Sequence, residues 1–367
     1  MPLLAAAATV VSAAAPRYLM YLDQFHLATL PDKSMTAGIN YVYTAFAPSS
    51  IFNDNSSYTF QKPLDEVRAM FDDGTKLCMA IGGWADLEGF GAASATDESR
   101  KKFAKNVADA LNNQGYDCVD MDWEYPGGNG EDYKQVPNDQ KVGEIAAYPE
   151  LMCAVKEAIG DKELSTAIPG KEGDMIAFTS ENMPMLNNCT DFFNVMTYDL
   201  MNRRDTTTNH HSSVQGSAKS VDTYIERGMD PAKMNLGFPF YAKFFETKGE
   251  CNEPVGCETV LLENPDGTDT GKSGAMTFEL ENAENPEFKK AMENGKSDDD
   301  QGGMWYWDPD TKKFWTWDDP KYIDQKLDMA AEKKLGGAFA WSLAEDAQDW
   351  RHLKALQAGV SKLGQGQ

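Results

Sequence analysis

Apolar residues in this chain fall into short continuous runs, separated by longer stretches in which they recur at every third or fourth position. Runs apolar on both faces read as strands of a parallel sheet, and the stretches between them as amphipathic helices laid over it. The runs cover residues 18–22, 39–47, 76–81, 116–125, 164–168, 192–198, 234–240 and 335–343. Helices are expected over 63–72, 96–115, 146–159, just after Thr179, and over 220–227, 320–334 and the approach to Leu363. The second has Thr96 as a cap, Phe103, Val107, Ala110 and Leu111 at helical spacing, and Gly115 as its stop. Eight strands alternating with helices imply closure into an α/β (β/α)8 TIM barrel. The alternative, an open doubly wound sheet, calls for a glycine-rich phosphate turn after the first strand, where this chain has Asp23-Gln24-Phe25-His26.

The alternation stops between the seventh strand and the helix before the eighth. Residues 243–317 contain a cysteine loop (Cys251, Cys257), a turn-rich passage around Pro265-Asp266-Gly267, and two aromatic runs. Trp305-Tyr306-Trp307 and Phe314-Trp315-Thr316-Trp317 face each other across Pro309-Asp310 and predict a β-hairpin. A connection of this length is an inserted α+β subdomain at the loop end of the barrel. The barrel proper is then 16–242 with 318–363. The hairpin tryptophans Trp305, Trp307, Trp315 and Trp317 either form the subdomain's own core or reach a ligand, since alternate positions must face inward.

The stretch 116–125, Tyr-Asp-Cys-Val-Asp-Met-Asp-Trp-Glu-Tyr, departs most from a structural role. On a strand, Cys118, Asp120, Asp122 and Glu124 share one face, and Val119, Met121 and Trp123 the other. Burying a row of carboxylates costs several kcal/mol per unpaired charge unless protons and hydrogen bonds are shared. Alternate positions stand about 6.6 Å apart, so the three acids cannot converge on one cation without ligands from elsewhere, and no metal site is expected. Asp117 lies on the opposite parity and reads as structural. His210-His211 reads as an exposed polar loop.

Composition narrows the partners. With 58 acidic against 34 basic residues the net charge is −24, which repels nucleic acid and anionic membrane surfaces. Residues 3–15 form an apolar run too short to span a bilayer and ending in small residues, as a secretion signal does. The sequons Asn55-Ser56-Ser57 and Asn188-Cys189-Thr190 agree with export. Six cysteines allow fifteen pairings; Cys251 with Cys257 is the best local pair, whereas Cys78 and Cys118, inside strands, read as small buried thiols.

These motifs resemble the chitinases of glycoside hydrolase family 18. The signature D-x-x-D-x-D-x-E stands as Asp117, Asp120, Asp122 and Glu124, followed by Tyr125-Pro126. The third strand ends Ala80-Ile81-Gly82-Gly83-Trp84, with Ala80 where the family usually carries a serine. The sixth carries Met196-Thr197-Tyr198-Asp199, the seventh Gly237-Phe238-Pro239-Phe240-Tyr241, and the eighth ends in Trp341. Cys118 replaces a common glycine, Ala242-Lys243 stands where Gly-Arg is common, and Asn202-Arg203-Arg204-Asp205 looks like a fungal branch. The insertion resembles the chitinase insertion domain.

The resemblance implies a secreted, monomeric, cofactor-free enzyme acting on chitin or chitooligosaccharides. Glu124 would be general acid and then base, Asp122 would orient the acetamido N–H and stabilise the positive intermediate, Asp120 behind it would share a proton with Asp122, and Tyr198 would hold the acetamido carbonyl. Trp341, Trp84, Asp199, Tyr125, Met196, Tyr21 and Phe46 would line the sugar site. An endo-N-acetylglucosaminidase and a chitin-binding lectin without turnover are the competing readings.

Overall fold

The computed structural model describes residues 15–54 and 57–364. The leader expected over 3–15 lies, but for its last residue, outside the described residues, and so does most of the Asn55 sequon. Among the described residues there are thirteen strands: β1 (Arg17–Asp23), β2 (Tyr41–Ala47), β3 (Lys76–Gly82), β4 (Cys118–Asp122), β5 (Glu163–Pro169), β6 (Phe192–Met196), β7 (Met234–Pro239), β8 (Tyr241–Glu246), β9 (Ser273–Thr277), β10 (Lys296–Asp298), β11 (Gly303–Asp308), β12 (Lys313–Trp317) and β13 (Gly337–Trp341).

Eight of them close a parallel barrel in the order β1-β13-β7-β6-β5-β4-β3-β2, so the open-sheet alternative is excluded. Closure is made by β1 against β13, with Arg17 opposite Gly337 and Met20 opposite Ala340. Outward-facing side chains such as Met79, Val119, Met121 and Leu236 join one large core with the surrounding helices. Inward-facing ones, among them Tyr21, Tyr43, Cys118 and Phe339, form a second, smaller cluster inside the barrel. The helix Asp97–Gln114 is fixed as its ends predict: the Ser99 amide donates to Thr96 Oγ1 at 3.1 Å, and Gly115 takes the left-handed conformation (φ 79°) that lets the chain turn into β4.

The fold corrects expectations about the acidic strand, two cysteines and two histidines. The acidic strand is shorter than expected and ends at Asp122, because its partner β3 ends opposite it at Gly82; Glu124 therefore stands beyond the ladder, at the mouth. Cys78 and Cys118 are directly paired residues of β3 and β4 and form a disulfide with Cα atoms 4.4 Å apart, so they are not thiols. His210 and His211 are buried, not exposed. His210 ties the barrel to the insertion, with Nδ1 2.9 Å from Thr316 Oγ1 and Nε2 3.1 Å from Asp298 Oδ2. Cys251 and Cys257 pair as expected, and Cys153 joins Cys189 between two outer helices.

The insertion is a five-stranded antiparallel sheet ordered β10-β11-β12-β8-β9. It starts at Tyr241, two residues before the expected boundary, because the chain leaves β7 straight into β8. The aromatic hairpin forms in the expected register, with Tyr306 opposite Trp315 and Trp307 opposite Phe314. Its two faces fill two small cores, Tyr306, Trp315 and Trp317 in one, Trp305 and Phe314 with Trp307 in the other. The sheet is pinned below by a fully buried ion pair, Lys326 to Asp318 at 2.5 Å, whose second carboxylate oxygen accepts from Ser212.

Candidate active site

The acids of β4 sit at three depths. Asp120 is fully buried inside the barrel, where Tyr21 OH donates to its Oδ2 at 2.7 Å, and Ser165 Oγ (2.6 Å) and Asn194 Nδ2 (3.2 Å) donate to its Oδ1. Burial pushes this carboxyl up to about 6, against the downward pull of those donors. The hydroxyl missing at Ala80 on one neighbouring strand is thus supplied by Ser165 on the other, since Ala80 and Ser165 both face Asp120 in the sheet register.

Asp122 is buried one step higher, and its Oδ1 finds no hydrogen-bond partner among the described residues. Burial first, then the charges of Glu124, Asp120 and Asp86, hold its carboxyl well above the ordinary range. With the oxygens of Asp120 taken by Tyr21, Ser165 and Asn194, Asp120 acts on it through charge. Glu124 is half-buried at the mouth, and burial raises its carboxyl to about 8; a hydrogen bond from Tyr125 opposes this, and the charges of Asp199 and Asp174 add to it. A carboxyl raised to about 8, standing above a buried carboxyl that is itself raised, is suited to general acid work near neutrality.

Glu124 and Asp122 open into a groove of about 620 Å³ at the C-terminal ends of the barrel strands. Tyr21, Phe46, Trp84, Tyr125, Met196, Tyr198, Asp199 and Trp341 all line it, so every expected site residue reaches it except Asp120, which lies beneath. Trp341 is held by Phe46, stacked at 5.2 Å and 13°. The Gly82-Gly83 turn makes this possible. Gly83 donates its amide to the Asp122 carbonyl at 2.9 Å, and a Cβ on Gly83 would come within 2.7 Å of the Phe46 ring. Tyr198 stands two residues past β6, in the space left by Gly237, where a Cβ would meet its ring at 2.9 Å. Trp84 is 38% exposed and edge-on to Tyr125. Tyr21 is almost fully buried, with its hydroxyl turned down to Asp120, so it supports the acid row from the groove floor.

Asp199 is more strongly engaged than its sequence suggested. Tyr241 OH donates to it at 2.9 Å and Lys243 Nζ lies 2.9 Å away. Burial works upward on this carboxyl but is outweighed by Lys243 and His211, which keep it ionised well below the usual range. Lys243 therefore answers the Gly-Arg departure with a cation at the same wall. Sequence reading missed Ser165, Asn194, Lys243, Arg204 and Asp174. The last two form a bidentate pair (2.9 and 2.6 Å) at the edge of the groove. Ser165 was legible in principle as the one hydroxyl on β5 sharing Asp120's face; the others depend on how separate loops meet. Among the described residues, Asp23, His26 and Glu345 alone bring three possible metal-ligand atoms within 4.8 Å. Asp23 and His26 form a hydrogen-bonded pair that raises His26 to about 9, and Glu345, pushed up to about 8 by burial, lies 3.6 Å from the same imidazole.

A closed (β/α)8 barrel with a row of carboxylates under a groove at its strand ends has the layout of a barrel enzyme, whose active site sits at that face. Comparison makes the class specific. The family model for glycosyl hydrolases family 18 matches residues 17–346, and the chain belongs to that family. It is 25% identical over 301 residues to Endochitinase 1 of Metarhizium anisopliae, which covers 79% of this chain, while the chain spans 65% of that relative's length. It is also 25% identical over 321 residues to a chitinase-like effector of Moniliophthora roreri, covering 77% of each. A chitinase structure from Rhizomucor miehei shares the fold, with a TM-score of 0.75 at 19% identity over 93% of this chain and 99% of that one.

Proposed function

We propose that this protein is a secreted chitinase that hydrolyses β-1,4 linkages between N-acetylglucosamine units with retention of configuration. The observation that carries the reading is the unpartnered Asp122 Oδ1, buried next to a protonated Glu124 in a groove lined by Trp341 and Tyr198. A buried acceptor without a donor is costly, and a substrate amide N–H would satisfy it.

In this mechanism Glu124 gives its proton to the glycosidic oxygen as the C1–O bond breaks. The acetamido carbonyl oxygen, held by Tyr198, attacks C1 from the opposite face, and its N–H donates to Asp122. The resulting oxazolinium ion carries a positive charge stabilised by the acid row. Glu124, now a carboxylate, takes a proton from water as the water attacks C1 and opens the ring. Two inversions at C1 give retention, and Glu124 ends protonated. Trp341 supplies the apolar floor under the reacting sugar. Three disulfides support an exported protein, and the walled groove favours a linear polymer over a branched glycan.

The competing reading is a lectin that binds chitin without turnover. Incubation of wild type and Glu124→Gln with chitin hexamer separates the two. The chitinase reading expects β-anomeric products by NMR from wild type and almost none from the variant; binding without products from wild type would establish the lectin.

A further inference from the structure

We infer that the groove is closed on the side of Glu124 away from Trp341, so that a polymer is cut a short distance from its reducing end and not at internal positions. The inference rests on the chitinase reading above and adds the mode of attack to it.

The closure is made by two segments far apart in sequence. Residues 263–269 form a small finger, bridged antiparallel between Glu263 and Asp269 and turned at Gly267, whose φ of +87° suits glycine. The finger runs off the start of β9, where Ser273 and Gly274 form a wall of the groove. Its tip meets the loop after β4. Gln135 Nε2 donates to the Asp266 carbonyl at 2.5 Å, Tyr133 OH donates to Glu263, and a Cβ on Gly267 would lie 2.9 Å from Lys134. Tyr133 and Asp269, one from each segment, line the same cavity as Glu124.

Charge ties this wall to the barrel. Arg204, after β6, holds Asp174, after β5, through both guanidinium nitrogens and lies 5.7 Å from the centre of the Tyr133 ring. Lys171 pairs with Asp205 at 2.5 Å, and Lys141 with Asp132 at 2.7 Å at the root of the Tyr133 loop. A wall held at its tip and at both roots is not a swinging contact. The loop after β1, across the barrel from β5, by contrast presents Phe25, 72% exposed, to the same groove.

The orientation follows from the chemistry. The sugar attacked at C1 lies over Trp341, and the leaving sugar lies beyond Glu124, towards Asp174 and Arg204. The leaving part carries the reducing end. Between Glu124 and the joined loops there is room for a short fragment, whereas a chain continuing in that direction meets the wall.

The test uses the full chain and its Glu124→Gln form. Binding of chitohexaose to Glu124→Gln is compared with binding of the same hexamer coupled through its reducing end to dextran. The closed end expects at least ~10-fold weaker binding of the coupled chain; equal affinities would overturn it. Deletion of residues 265–267, or Gln135→Ala should the deletion not fold, is expected to narrow that difference. With wild type, glycol chitin should lose viscosity slowly for each new reducing end formed, and a rapid fall at low conversion would overturn the closed end while leaving the chitinase reading intact. Absence of any turnover, with the binding difference retained, would support the closed end and remove the hydrolase.

Discussion

β4 and the β11–β12 hairpin are both built on a two-residue alternation, yet they do opposite work. On β4 one parity enters a barrel whose interior is open at the top, so Asp120, Asp122 and Glu124 become successively more accessible along the strand. On the hairpin both parities are covered, one by Phe244 and Phe288 and the other by Phe245 and Leu262. The four hairpin tryptophans therefore pack inside the insertion, and none lines the groove. The insertion reaches the groove through its plainer strands instead, with Tyr241 and Lys243 of β8 and Ser273 to Ala275 of β9. A conspicuous side-chain pattern reveals which residues share a face; what covers that face decides whether they bind or merely pack.

That contrast can be broken most severely at Glu124. On the proposed mechanism Glu124→Gln removes the proton donor but leaves the groove, and kcat on a chitin oligomer should fall by ~10³-fold or more with the melting temperature unchanged. Trp315→Ala is the converse. It should lose about 3–5 kcal/mol of stability in denaturant titration, because a fully buried indole is removed from a core that cannot collapse around it. The folded fraction should keep its activity, and a specific loss of kcat per folded molecule would show that the hairpin does contact substrate.

Titration sharpens the same comparison more gently. The proposed mechanism needs Glu124 protonated in the free enzyme, and its carboxyl is raised to about 8, so kcat/KM should fall about tenfold per unit above that pH, with a separate acid limb set by Asp120. A fall centred near the ordinary glutamate value would mean that the burial seen at Glu124 is not felt in catalysis. The smallest effect is expected at Ser165→Ala. Loss of this donor raises the Asp120 carboxyl further above about 6, so the acid limb of the profile should move up by roughly one unit. An unmoved acid limb would make Ser165 a packing residue only.

The sequence by itself determined the barrel and the acid row, because both rest on local periodicity. A period of two assigns Asp120, Asp122 and Glu124 to one face, and eight alternating units leave little choice but closure. It determined the aromatic hairpin and the Cys251–Cys257 loop for the same reason, since their partners are close along the chain. Only the tertiary structure decided the Cys78–Cys118 bond, the burial of His210 and His211, the donor that replaces the missing hydroxyl at Ala80, and the joining of Tyr133 to Glu263. Each of these depends on register between strands or on contact between loops 40 to 130 residues apart, which no pattern within one segment encodes. Side-chain parity is a local property of the backbone, whereas burial, pairing and proton affinity belong to whatever the fold brings opposite.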